Sequence, residues 1–264
     1  MSGAASQRGF AGALQVQGRV IGALLMRELH TRFGRENLGY VWLFAEPAML
    51  GFAVTSLHLI TEAHLPNGIP PLAFYLIGYI PFYMLRAIIN RAASTIDSNR
   101  TLLYHRQVTL SDMLVARTLL EGAACLVVTA VATLWSGVVG DGWPEDPMKM
   151  VYGIVLMVWW SHGIAMLVAA GSALTELVDR FVHPAVYIFM PLSGAFFMKD
   201  WMGPTVAWIL WFNPVVQMYE MIRDGQFGER IFTDYDVGYM LAHNVALTLL
   251  GLAALRAVRG KLVG

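Results

Sequence analysis

The chain has 264 residues, of which 57% are hydrophobic and 14% charged, and it carries no net charge. A soluble domain carries about 25% charged residues, so this balance points to an integral membrane protein rather than a large soluble core. No basic excess marks a nucleic-acid partner, and Cys125 is the single cysteine, so an intrachain disulfide or a cysteine metal cluster is excluded.

Residues 1–17 lack the apolar core and small-residue cleavage site of a signal peptide, so the first span is expected to act as its own insertion signal. The segment 17–33 reads as a helix. Val16, Val20, Ile21, Leu24 and Leu25 form an apolar face at helical spacing, and Arg27, Glu28 and Arg32 follow. Such a helix suits the membrane interface; the plainer reading is a basic flank that sets topology. The run 31–47 then passes from charge into an apolar stretch that holds Glu46 and Pro47. Pro47 is expected to bend this span. Glu46 could pair with an arginine, receive a substrate cation or stay neutral.

Spans need about 20 mainly apolar residues. Six are predicted, at 39–60, 72–89, 113–139, 151–174, 181–197 and 237–255. The second carries Tyr75, Tyr79 and Tyr83 on one face. The loop 86–112 mixes Ile, Leu and Tyr with charge, and Asp97-Ser98-Asn99 can begin a short helix. It reads either as a docking element or as a solvated basic loop. In the third span Arg117 and Glu121 are four residues apart and share a face. Arg117 should lie at the depth of Glu46, which gives an expected Glu46–Arg117–Glu121 polar cluster rather than a proton relay.

His162 and His183 lack carboxylates at ligand spacing, so no metal site is expected, and they are read as interhelical polar contacts. Ser161 and His162 are mere sequence neighbours, with no acid partner evident for hydrolytic chemistry. The stretch 203–221 is broken by Pro204, Asn213 and Pro214 and reads as two short helices, the second capped by Asn213. Thirteen arginines and lysines fall before span 1, between spans 2 and 3, between 4 and 5, and after span 6, against four in the opposite segments. This bias puts both termini in the cytoplasm. Tyr75, Tyr79, Tyr83, Trp159 and Trp211 offer ring faces and polar edges that suit a passing glycan; ordinary packing and interfacial belts are the alternative.

Three features carry a family resemblance. They are Arg32-Phe33-Gly34 followed by Leu38-Gly39-Tyr40-Val41-Trp42 and Glu46-Pro47, the order of elements, and Asn213-Pro214-Val215-Val216 with Glu220-Met221-Ile222-Arg223-Asp224-Gly225 and Phe227. The chain resembles the membrane subunits of ABC transporters that export capsular polysaccharide, the KpsM/BexB group. The resemblance implies an all-α integral membrane fold with six transmembrane helices, an N-terminal interfacial helix in 1–38 and a membrane domain in 39–264. Within that domain it implies a cytoplasmic coupling loop at 86–112 and a periplasmic segment at 199–236 that re-enters the outer leaflet. It further implies a homodimer in the bacterial inner membrane and two cytoplasmic ATPase subunits that hold ATP and Mg. A lipid-linked polysaccharide would be the substrate, with a periplasmic adaptor and an outer-membrane export protein beyond. Arg27, Arg32, Arg91 and Arg100 are the residues expected to take the ATPase stroke.

No cofactor is expected in this chain, since Gly260-Lys261 is followed by Leu262 and lacks the upstream glycine of a phosphate loop. Exporters of O-antigen and teichoic acid share the architecture. An intramembrane enzyme acting on lipid-linked sugars would need a convergent acid, base or metal set, and an ion-coupled carrier would need midplane acids in several helices.

Overall fold

The computed structural model describes residues 10–33, 39–61, 65–96 and 108–262. Among the described residues the regular structure is helical. We number the helices α1 (Phe10–Phe33), α2 (Gly39–Thr61), α3 (Pro71–Ala93), α4 (Leu110–Val139), α5 (Pro147–Ser172), α6 (Glu176–Phe189), α7 (Pro204–Trp211), α8 (Pro214–Phe227) and α9 (Val237–Leu262). Among them α2, α3, α4, α5 and α9 are long and apolar enough to cross a membrane.

Local chemistry sets the boundaries. A capping box starts α4: Thr109 Oγ1 accepts from the Asp112 amide at 3.2 Å and Asp112 Oδ2 accepts from the Thr109 amide at 3.0 Å. Gly140 ends it in the left-handed conformation at φ 94°. Asp146 caps α5 by accepting from the Met148 and Lys149 amides, with Pro147 in its first turn. α2 runs unbroken through Pro47.

α3 is the centre of the bundle and packs on α2, α4, α5, α6 and α8. α5 in turn packs on α8 and α9. α1 lies against the first turns of α4, where Val20, Ile21, Leu24 and Leu25 meet Val108, Met113 and Ala116. The apolar face read from the sequence therefore packs on protein. Gln17 adds a hydrogen bond to Asp112 at 3.1 Å.

The predicted span at 181–197 is shorter than expected. α6 has 14 residues, about 21 Å of helix against the ~30 Å of a hydrocarbon core. Glu176, Asp179 and Arg180 occupy its first turns, and the chain leaves the α-helix for a 3-10 turn at Met190–Leu192. Pro191 has no amide proton to continue the ladder, and Gly194 takes a positive φ of 88°. Beyond the turn the chain passes close to α3. A Cβ on Gly78 would lie 2.0 Å from the Ala195 carbonyl oxygen, so only glycine admits this approach.

α7 and α8 form a hairpin whose corner is Asn213. Asn213 Oδ1 accepts from the Val215 amide at 3.0 Å and its Nδ2 donates to the Leu192 carbonyl at 2.9 Å, so the corner rests on the end of the α6 segment. α8 then climbs along α5, and its far end meets the loop before α5, where the Asp146 amide donates to the Gly225 carbonyl at 2.8 Å. A Cβ on Gly225 would fall 2.7 Å from both the Asp146 carbonyl oxygen and the Met150 amide nitrogen.

Candidate functional site

At the Ala93 end of α3, a compact polar node joins three helices. Arg117 of α4 pairs with Glu28 of α1 at 3.2 Å. The same guanidinium donates to the Arg91 carbonyl at 3.0 Å and to Thr95 Oγ1 at 2.7 Å. Arg91 crosses back to Glu121 of α4 at 3.3 Å. Glu28 and Glu121 are both buried, while the Arg91 side chain is 36% exposed, so each buried carboxylate faces a guanidinium and the node keeps one open side.

A second polar face lies further along α3. Tyr79, Tyr83 and Ala87 pack with Val54 of α2 and with Phe196. The Tyr83 hydroxyl lies beside the Glu46 carboxylate. Arg86 donates to the Tyr187 hydroxyl of α6 and stacks on the rings of Tyr83 and Tyr187, 5.0 and 5.4 Å from their centroids.

The third group stitches the hairpin to its loops through α8. Arg223, 1% exposed, donates to the Gly194 carbonyl at 2.8 Å and to the Ala195 and Phe197 carbonyls, and its guanidinium sits 3.9 Å over the Phe74 ring. It thus satisfies carbonyls that the broken α6 segment leaves without helical partners. Glu220 does the converse for amides, accepting from Lys199 at 3.1 Å and Asp234 at 2.9 Å. Gln217 accepts from the Asp236 amide at 2.9 Å. Tyr219 donates to the Gly78 carbonyl at 2.8 Å. Asp224 receives Lys149 at 2.9 Å and the Tyr235 hydroxyl at 2.6 Å; burial, and then the Asp224 carboxylate, push the Tyr235 hydroxyl up from the usual phenol range.

The ABC-2 type transporter family matches residues 19–227, which include the inner node, the tyrosine face and α8. This chain belongs to the ABC-2 type transporter family. The capsule polysaccharide export inner-membrane protein CtrC of Neisseria meningitidis serogroup B is 35% identical over 244 residues, 91% of each chain. The corresponding protein BexB of Haemophilus influenzae is 34% identical over 253 residues, 94% of each chain. The polysialic acid transport protein KpsM of Escherichia coli is 27% identical over 252 residues, covering 92% of this chain and 94% of that one.

Within this ABC-2 chain, the residues singled out in sequence are distributed differently from the expectation. The pairing expected within Glu46–Arg117–Glu121 is corrected: Arg117 pairs with Glu28, Glu121 meets Arg91, and Glu46 lies beside Tyr83, whose hydroxyl feels both Glu46 and Glu121. Equal depth along two spans did not fix which helix faces met. Arg91, of the expected coupling region, meets Arg117 and Glu121, of the expected polar cluster, in this node. Arg27 and Arg32 lie in the last two turns of α1, while Arg100 and the short helix expected from Asp97 lie outside the described residues.

The five aromatics of the expected substrate path are not brought together. Tyr79 and Tyr83 share one face, and Tyr75 is fully enclosed between Phe74, His58 and Phe196. Trp159 instead bonds Thr248 of α9 at 2.8 Å, and Trp211 packs on Tyr239 beside the hairpin. His162 meets Thr118 across α4 and α5 at 2.9 Å, an interhelical polar contact as expected. Sequence reasoning missed Glu28, Thr95, Arg86 and Tyr187. Glu28 had a visible signal, since it follows Leu24 by four residues and continues the apolar face of α1.

Proposed function

We propose that this chain is the membrane subunit of an ATP-driven exporter that moves lipid-linked capsular polysaccharide across the bacterial inner membrane. The similarity to capsule-export inner-membrane proteins along nine-tenths of both chains carries this reading. In it the chain performs no covalent chemistry, and a separate cytoplasmic ATPase binds ATP and Mg.

The node of Glu28, Arg91, Thr95, Arg117 and Glu121 then acts as the mechanical link. ATPase contact at α1 and at the segment following α3 would move both together against α4, since the node ties all three. Arg27, Arg32 and Arg100 remain the proposed contact surface. Two copies would form the pathway between them, with a periplasmic adaptor and an outer-membrane protein receiving the glycan.

A sixth crossing is part of the proposal. The chain leaves the end of α5 through α6, passes Gly78 of α3 at Ala195 beyond the 3-10 turn, and brings Trp201 to 5.1 Å from the Phe74 ring near the far end of α3. The α7–α8 hairpin would then re-enter from the outer side, and both termini would be cytoplasmic. The buried bonds of Arg223 and Glu220 suit that placement, because they satisfy irregular backbone that lipid could not.

The test is deletion of the gene in its own host. The expected result is intracellular accumulation of lipid-linked capsular glycan with none at the surface, reversed by the native gene. A deletion strain that keeps its surface capsule overturns the proposal, and so does one that stops making the lipid-linked glycan.

A further inference from the structure

Tyr79, Tyr83, Arg86 and Asn90 follow one another along α3 at spacings of four, three and four residues and so form one stripe. It is bordered by α2 through Val54 and Glu46, and by α6 through Tyr187. Arg86 lies seven residues before Ala93, about 10 Å along the helix, where the apolar run of α3 gives way to Asn90 and Arg91. Among the described residues its guanidinium meets the Tyr187 hydroxyl and the rings of Tyr83 and Tyr187, and no carboxylate lies within ion-pair distance. The inner node differs, since there each of Arg91 and Arg117 has its own carboxylate.

Two rings fix the plane of the Arg86 guanidinium while using few of its five N–H donors. One turn on, Asn90 Oδ1 is buried and has no hydrogen-bond partner. At the other end of the stripe the Glu46 carboxylate is half-buried. The arrangement therefore offers donors at Arg86, aromatic faces beside it, and acceptors at Glu46 and Asn90. A cation held within the helix bundle by two rings, with no carboxylate at ion-pair distance among the described residues, is suited to a mobile anion. Glu46 would repel a bare anion, but it complements a ligand that also carries hydroxyl donors.

We propose that Arg86, held between Tyr83 and Tyr187, receives an oxyanion of the transported glycolipid while Glu46 accepts from its hydroxyls. The assignment rests on the export reading and names the contact by which the chain recognises its cargo. The oxyanion is either a sugar carboxylate or the phosphate of the lipid anchor. Tyr187, exposed on α6, is the positioning residue that orients the guanidinium.

The test uses the full chain in nanodiscs, purified from host membranes with any bound partners retained. The probe is lipid-linked capsular glycan extracted from an export-deficient strain of the same host. It is used intact, stripped of its lipid, or with its sugar carboxyls reduced. Arg86→Gln is expected to bind the intact glycan about tenfold or more weakly than the native chain, the loss of one charged hydrogen bond. Arg86→Lys should recover part of that affinity. If carboxyl reduction erases the difference between Arg86→Gln and native, the anion is a sugar carboxylate. If stripping the lipid erases it, the anion is the anchor phosphate; either result supports the assignment.

Equal binding of intact glycan by a normally eluting Arg86→Gln variant overturns it. Should that variant fail to fold, Tyr187→Phe keeps the charge but releases its orientation. Unchanged affinity of Tyr187→Phe for the intact glycan would then overturn the assignment. A native chain that binds none of the three forms refutes the export reading itself and the Arg86 assignment with it.

Discussion

Replacing Arg117 with glutamine removes the group that ties α1 and α3 to α4. Its guanidinium stands 3.2 Å from Glu28, and the two side chains are 14% and 10% exposed. It also holds the Arg91 carbonyl and the Thr95 hydroxyl at 3.0 and 2.7 Å. Stranding Glu28 in such surroundings costs about 3–5 kcal/mol, and the remaining access to water puts the change at the lower end, ~3 kcal/mol. Glu28→Gln is milder, about 1–3 kcal/mol, because Arg117 keeps its two neutral acceptors. The double variant should cost less than the sum of the two, since neither charge is then left alone. A coupling of about 1–3 kcal/mol is expected. Denaturant unfolding in mixed micelles, followed by the eight tryptophans, measures all four corners of the cycle. Costs that add to within about 0.5 kcal/mol would refute the reasoning, because the pair would then contribute no energy of its own.

Gly225→Ala places a methyl 2.7 Å from backbone atoms at Asp146 and Met150 that cannot rotate away, so a loss of about 1–3 kcal/mol in the same unfolding assay is expected. Asn213→Ala removes the α8 cap and leaves the Leu192 carbonyl without its donor; thermal melting should show a loss of about 1 kcal/mol. Arg91→Glu sets like charges against Glu121 at 3.3 Å and should uncouple ATP hydrolysis from export while leaving membrane insertion intact, read from both rates in membrane vesicles. Tyr79→Ala with Tyr83→Ala should lower export more than stability, since both rings border Arg86 and Glu46; export equal to native with normal melting would mark them as packing residues.

Composition and span length made the helical membrane class legible, and the motif Asn213-Pro214 located the hairpin corner because capping chemistry is local. The start of α4 is equally local: the capping signal Thr109-Leu110-Ser111-Asp112 places it three residues before the apolar run from 113. α3 runs on to Ala93, beyond the span expected at 72–89, so Arg91 sits inside a helix rather than in the loop expected from 86. Its charge hid that continuation. The shortness of α6 follows from Pro191 and Gly194, whose effect a hydropathy window averages away. The partners of Arg117 were not legible: pairing across helices depends on rotation about each axis, which spacing along one chain leaves open. The same holds for Trp159, whose ring reaches α9 because that side of α5 happens to face it. The roles of Glu220 and Arg223 depend on loops 14 to 29 residues away, so the motif could be recognised before its mechanics could be derived.

Reconstitution tests the central claim most directly. Proteoliposomes would carry this chain with the ATPase that copurifies with it, and lipid-linked capsular glycan in the outer face. The account predicts that glycan becomes protected from an added glycan-degrading enzyme only when ATP and Mg are supplied, and that a hydrolysis-dead ATPase abolishes the protection. Protection without any ATPase, or chemical conversion of the glycolipid by this chain alone, would contradict it.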